Sequence, residues 1–290
     1  MTIWHKLRPY GMVAPAIVIF TMFFLYPIFY MIYLSLFDWN FVSPTKTFVG
    51  LANFRDLLTD SDFMKVLSNT TMYTLLTVTL TTILALLLAL WLNRKSLFHG
   101  FVQGAIFSPH IISLVSISLL WSWLMDPEYG LLNWIIGLFG FGPLQWLSHP
   151  GTSLVSLVIV AVWKGLGYNT LVFIAGLQSI PGDIYEAAAL DESKPWTTFA
   201  KLTLPMLSPT IFFLVIINLI GSFQVFETIA IMTQGGPVNS TNTLVYYIYE
   251  NGFRFFKIGY ASAAGVILLV IVGALTIVYF RLLARRVHYR

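Results

Sequence analysis

Three polar side chains, Lys164, Gln224 and Glu227, stand in stretches that are otherwise almost purely apolar, and they are the first candidates for chemistry. An ammonium in such surroundings either pairs with carbonyls inside a helix bundle, snorkels outward along its own stem, or faces a wet path. Gln224 and Glu227 are three residues apart, so a continuous helix would present both on one face. Glu227 is also close enough to the end of its stretch to be simply hydrated. The groups that catalysis needs are absent as patterns. His5, His99, His110, His149 and His288 form no H-E-x-x-H pair, and His110, beside Pro109, reads first as a packing or interfacial residue. There is no G-x-S-x-G elbow and no Gly-Lys-Ser/Thr to cradle a nucleotide's phosphates. With no Cys in 290 residues, there is also no thiolate ligand or Cys nucleophile. We therefore expect no catalytic residue, no metal site and no cofactor held by this chain; uphill transport driven by ATP would need another chain to bind the nucleotide.

The elements that must position these side chains follow from composition. The chain is 58% hydrophobic and 10% charged, against about 45–50% and about 25% for a soluble domain, and too little polar surface remains to cover a water-soluble core. Six stretches are long enough to cross a bilayer, with spans expected at about 12–36, 70–92, 103–125, 153–178, 206–232 and 260–282. Each must be a helix, because hydrocarbon satisfies no free backbone N–H or C=O. The first run is too long for a signal peptide and lacks a small-x-small cleavage site, so it reads as an uncleaved span. The expectation is an all-α integral membrane protein, one transmembrane domain over residues 1–290.

Lys and Arg placement sets the orientation. Lys6, Arg8, Arg94, Lys95, Lys194, Lys201, Arg281, Arg285, Arg286 and Arg290 fall on one side, and Lys46, Arg55, Lys65, Arg254 and Lys257 on the other. That bias predicts both termini and the connection 179–205 in the cytoplasm. Lys164 then sits about 14 residues, roughly 21 Å, from the cytoplasmic end of its span. An unpaired ammonium there costs about 2.5–3.5 kcal/mol, so it should face the bundle or a cavity.

The connection Ser179–Pro205 reads SIPGDIYEAAALDESKPWTTFAKLTLP. Asp183 is placed to cap a short helix through Leu190, built on Ala187, Ala188 and Ala189. Ser193 is placed to cap a second, with Pro195 in its first turn and Trp196, Phe199 and Leu202 as an apolar stripe. A helix–turn–helix projecting into the cytoplasm, with small Ala side chains and free carboxylates, suits docking into another protein's groove beside an Arg.

Those residues carry a resemblance. Ile180-Pro181, Tyr185-Glu186-Ala187-Ala188-Ala189-Leu190-Asp191, Phe199 and Leu202-Thr203-Leu204-Pro205 resemble the EAA loop of binding-protein-dependent ABC importer permeases. Trp163-Lys164, Ala175-Gly176-Leu177-Gln178-Ser179, Thr233-Gln234-Gly235-Gly236-Pro237 with Thr241, and Phe48-Val49-Gly50-Leu51-Ala52-Asn53-Phe54 are similar to the carbohydrate branch, near the glycerol-3-phosphate and maltose permeases. The resemblance implies the type I importer permease fold in a bacterial cytoplasmic (inner) membrane. It also implies a second homologous permease subunit, two ATP-binding cassette ATPase subunits holding ATP and Mg, and an external solute-binding protein. Besides these the chain would meet membrane lipid and no nucleic acid. Glu186 would pair with an ATPase Arg, Ala187 and Ala188 would sit in its groove, and Asp191 would fix the loop. Lys164, Gln224 and Glu227 become candidates for the path of a sugar or oligosaccharide, with an anionic solute such as glycerol-3-phosphate as the alternative and an ion-coupled transporter as the more distant one. One departure stands out. The family has Gly-Ala after the Asp where this chain has Glu192-Ser193, and a non-Gly residue in a left-handed turn costs about 1–2 kcal/mol, so a turn of different shape is expected.

Overall fold

The computed structural model describes residues 3–94 and 96–283. Lys95, Arg285, Arg286, Arg290 and both chain ends, on which part of the charge argument rests, lie outside the described residues, as do the side chains of Lys6 and Arg8. The described chain is helical apart from one two-stranded ribbon. In order it runs α1 (Ile3–Phe20), α2 (Tyr26–Leu34), β1 (Phe37–Asp38), β2 (Thr47–Phe48), α3 (Ala52–Thr59), α4 (Ser61–Leu92), α5 (Leu97–Ile111) and α6 (Leu114–Leu124). It continues through α7 (Leu131–Leu138), α8 (Pro150–Gln178), α9 (Gly182–Leu190), α10 (Pro195–Thr198), α11 (Leu204–Met206), α12 (Ser208–Phe223), α13 (Glu227–Met232), α14 (Leu244–Tyr249) and α15 (Ile258–Leu283). Among the described residues five segments are long and apolar enough to cross a membrane: Tyr10–Leu34, Ser61–Leu92, Pro150–Gln178, Ser208–Met232 and Ile258–Arg281. The expected third span is not one helix. It is the pair α5 and α6, bent by 102° at Ile112–Ser113, just past Pro109, which lies inside the last turn of α5.

The residues group into two compact units. One joins the segment up to Met64 with Tyr247–Val270. In it a π-helical turn at Thr21–Leu25 separates α1 from α2, and the ribbon pairs Phe37 with Phe48 and Asp38 with Thr47 in antiparallel register. Buried Asn53 donates to the carbonyls of Ser35 (2.9 Å) and Phe37 (3.0 Å), which ties α3 to the ribbon. The Ile258 amide donates to Trp39 O at 2.9 Å; at the next residue, Gly259, any Cβ would collide with the Phe37 carbonyl, so the approach of α15 to the ribbon requires glycine. The Asp60 carboxylate accepts from Tyr260 (2.9 Å) and Tyr247 (3.1 Å), which holds the start of α4 to α14 and α15.

The second unit joins Lys65–Tyr246 with the chain from Ile271 on. Its central element is α8, half of whose membrane window is buried, whereas that of the Tyr10–Leu34 segment is fully exposed to the surroundings. Phe173, Ile174 and Leu177 pack with Ala85, Ala89 and Leu92 of α4 and Leu214 of α12. Gly167 lets α8 touch the α5 backbone, where a Cβ would overlap the Ile106 carbonyl. Tyr73, Leu157, Val158, Ile229 and Tyr246 form a second apolar cluster. The loop Thr233–Thr243 bends through left-handed residues Gln234, Gly235, Val238 and Asn239. It is held to α4 by Lys65 Nζ on Val238 O (2.6 Å), Asn69 Nδ2 on Asn239 O and Asn242 O (2.7 and 3.0 Å), and the Leu244 amide on Thr70 Oγ1 (3.0 Å).

Candidate functional site

Two interruptions in the spans define a cavity of about 350 Å³ within the second unit. The first is the bend between α5 and α6. The last carbonyls of a helix have no partner within it, and in hydrocarbon they must find one. Lys164, on α8, supplies it: its Nζ donates to Ile112 O at 2.7 Å, Pro109 O at 3.2 Å and His110 O at 3.3 Å. An ammonium has three N–H donors, and here each has a carbonyl. Lys164 thus takes the carbonyl-bound reading, at the wall of a cavity. His110 lies across from it with its ring stacked on Tyr168, centroids 4.9 Å apart.

The second interruption corrects the expectation for Gln224 and Glu227. They do not share a continuous helical face, because α12 ends at Phe223, Gln224 caps it, and α13 restarts at Glu227 after the non-helical Phe226. Both nonetheless line the same cavity as Lys164, and neither side chain makes a hydrogen bond among the described residues. Irregular backbone at membrane depth is tolerated where it lines a cavity, and that is where this break lies. Asn169 and Asn218, which were not singled out from sequence, add an amide pair: Asn218 Nδ2 donates to Asn169 Oδ1 at 2.6 Å, and Asn169 Nδ2 to Gly165 O at 2.8 Å. Thr228, 3% exposed, lines the cavity with a buried hydroxyl that has no hydrogen-bond partner among the described residues. Two Asn at equivalent depth in neighbouring spans are the sequence signal that could have found the pair.

The projecting loop is a second candidate site. Ile184 and Tyr185 of α9 pack on the cluster formed by Ala89, Leu92, Phe173 and Leu177, and Tyr185 Oη lies 3.2 Å from Thr203 Oγ1. That anchorage turns Glu186, Ala187 and Asp191 to the exterior, with Leu190 and Trp196 also exposed, at 87% and 75%. Ala188 is buried within the chain instead. Neither Glu186 nor Asp191 bonds its carboxylate to another described residue. The expected caps are not used: α9 begins after Pro181 and α10 after Lys194, each without a side-chain cap. Asp183 lies one residue inside α9, where its charge faces the positive end of the helix. The Trp196 stripe is split between the short α10 and a π-helical turn at Phe199–Thr203.

The turn itself keeps its form despite the missing glycine. Glu192 adopts φ +50°, the Ser193 amide donates to Ala188 O at 3.0 Å and the Glu192 amide to Ala189 O at 3.1 Å. These are the paired bonds of a Schellman closure, normally completed by Gly. The expectation of a differently shaped turn is overturned: two backbone bonds satisfy the freed carbonyls and offset the left-handed strain.

Five apolar segments and one bent pair, with interrupted helices beside a cavity that carries a few polar side chains and with a projecting loop, have the organisation of a membrane permease. The chain belongs to the family described as binding-protein-dependent transport system inner membrane component, which matches residues 82–289. It is 36% identical over 288 residues to the sn-glycerol-3-phosphate transport system permease protein UgpA of Agrobacterium fabrum, covering 98% of this chain and 97% of that one. It is 34% identical over 281 residues to the probable ABC transporter permease protein YurN of Bacillus subtilis, 96% of each chain. A chain of the crystal structure of a bacterial ABC transporter involved in the import of the acidic polysaccharide alginate matches with TM-score 0.81 at 27% identity, over 96% of this chain and 98% of that one. The fold recurs with TM-score 0.84 in the alginate ABC transporter in complex with its alginate pentasaccharide-bound periplasmic protein. The protein is an ABC importer permease of the carbohydrate branch, a multi-pass protein of the inner membrane.

Proposed function

We propose that this chain is one transmembrane subunit of an ATP-driven importer that takes up a sugar or oligosaccharide handed over by an external solute-binding protein. It would be paired with a second homologous permease and with two ATP-binding cassette ATPases that carry ATP and Mg. In this reading residues 1–290 form a single permease domain with both termini and the loop 179–205 cytoplasmic, and ATP hydrolysis belongs to the partner chains. The carrying observation is the lining of the cavity. The Gln224 amide, the Glu227 carboxylate and the Asn169–Asn218 pair offer both donors and acceptors beside the Tyr168 ring, as a polyhydroxylated solute requires.

The relatives that transport glycerol-3-phosphate give a second reading, but the Lys164 ammonium counts against an anion here, since its three donors are spent on carbonyls. The complete complex in vesicles decides between the two. Uptake of neutral oligosaccharide with its loaded binding protein supports the first, and uptake of sn-glycerol 3-phosphate alone replaces it with the second.

At the loop we assign ATPase docking to Glu186, with Ala187 beside it and Asp191 at the helix end. Glu186→Lys is expected to abolish solute-stimulated ATP hydrolysis at normal expression. A docking carboxylate contributes about 1–3 kcal/mol, and the reversed charge adds repulsion. Full stimulation in that variant would reduce Glu186 to a surface residue.

A further inference from the structure

The connection between α6 and α8 has an inverted surface. From Gly130 to Ser148 it contains no Asp, Glu, Lys or Arg, although a connection between spans that met only water would be polar. Within it α7 places Leu131, Trp134, Ile135 and Leu138 on one arc about 100° wide, and all four are exposed; Trp134 reaches 63% and Leu138 66%. Phe139 and Phe141 extend that face, at 75% and 70%. The opposite face is turned inward. Leu132 packs on the Ile117, Met125 and Val160 cluster.

Asn133, the one polar side chain of the helix, is also inside, where it is fully used. Its Nδ2 donates to Pro127 O and Leu144 O at 3.0 Å each, and its Oδ1 accepts from Leu144 N (3.1 Å) and Trp146 Nε1 (2.8 Å). These four bonds fix the roll of α7, so it cannot turn its apolar face into the core.

We propose that α7 lies in the headgroup region of the leaflet opposite the projecting loop, with Leu131, Trp134, Ile135 and Leu138 against lipid. Lipid is the occupant because this face has no charged group and the Trp134 indole N–H as its one polar group, whereas a protein partner would meet a polar rim. The adjoining helices also expose apolar side chains: α6 exposes Leu119, Leu120 and Trp123, and α8 exposes Val155 and Ile159. Trp at such a boundary is a membrane-interface anchor. The helix then fixes the end of α6 at a set depth in the bilayer.

The proposal rests on α8 being a membrane span, and its test checks that separately. The chain has no Cys, so nitroxide labels at Trp134→Cys and Leu138→Cys can be read in the complete complex, with Cys-free partner subunits, in vesicles of phosphatidylethanolamine and phosphatidylglycerol. Val155→Cys serves as the lipid reference and Glu128→Cys as the water reference. The expected result is an oxygen-to-nickel-chelate collision ratio at 134 and 138 shifted from the Glu128 value toward that of Val155. Labels open to the nickel chelate would overturn the proposal by placing the face in water. Labels closed to both reagents would overturn it in favour of a protein cover, the second permease or the binding protein. A Val155 label open to nickel would instead remove the span itself.

Discussion

Lys164 shows what a residue's type reveals and what it conceals. Its ammonium was conspicuous in sequence because nothing else in its stretch is charged, but its partners were not, since Pro109, His110 and Ile112 lie on a different span and no spacing rule connects them. The side chain closes the open end of α5, where a cation also meets the negative end of the helix dipole. Lys164→Met would leave three carbonyls without donors, at about 1–3 kcal/mol for each buried one. The expected outcome is a lower melting temperature for the assembled complex, with Lys164→Arg in between; an unchanged melting curve for the Met variant would show that water takes over the carbonyls. Glu192 is the converse case. The rule that reserves left-handed turns for glycine was sound as energetics, but two closing backbone bonds outweigh its cost here.

At the scale of elements, apolar length located the helices and failed to locate their breaks. The bend at Ile112–Ser113 and the gap at Gln224–Phe226 lie in stretches that carry no charged residue before Asp126 and Glu227 and so read as continuous. The caps on α9 and α10 failed for a related reason: Pro181 and Pro195 set the starts of those helices, and packing of Ile184 and Tyr185 holds α9. The junction of α3, α4, α14 and α15 is expected to depend on pH through Asp60. Burial pushes its carboxyl up, but the Asp62 amide and the Tyr260 and Tyr247 hydroxyls outweigh burial and hold it below its ordinary value. Burial likewise pushes the Tyr247 hydroxyl up, so it stays a donor. A depressed carboxyl contributes stability above its unfolded value, about 4, and that contribution is lost as pH falls through the lower folded value. Protection factors for hydrogen exchange in Tyr247–Arg254, corrected for the intrinsic pH dependence of exchange, should therefore be flat from neutral pH to about pH 4 and fall only below. Asp60→Asn should remove the acid step; a step that persists in the variant would assign it to another group.

For the whole molecule, the multi-pass helical architecture and the place of the projecting loop along the chain were legible because hydrocarbon thickness and backbone satisfaction admit few alternatives. The grouping into two units was not, since it depends on which distant segments meet. Sidedness is directly measurable in a Cys-free chain. Lys194→Cys is expected to react with an impermeant maleimide only after cells are opened, and Glu128→Cys in intact cells; the reverse pattern would remove the loop from any cytoplasmic partner.

The 102° break in the third pass has a mechanical consequence. Both halves rest on α8, α5 along its length and α6 through Ile117 and Trp121 against Val160 and Trp163, while α6 also leans on α13; the joint between the halves carries no helical hydrogen-bond ladder to transmit torque. If the loop passes motion to α8, as we propose for ATPase docking, both halves would receive it, and the unlatched joint would let each take it up by a different amount. A stiff rod in the same place would have to move as one piece.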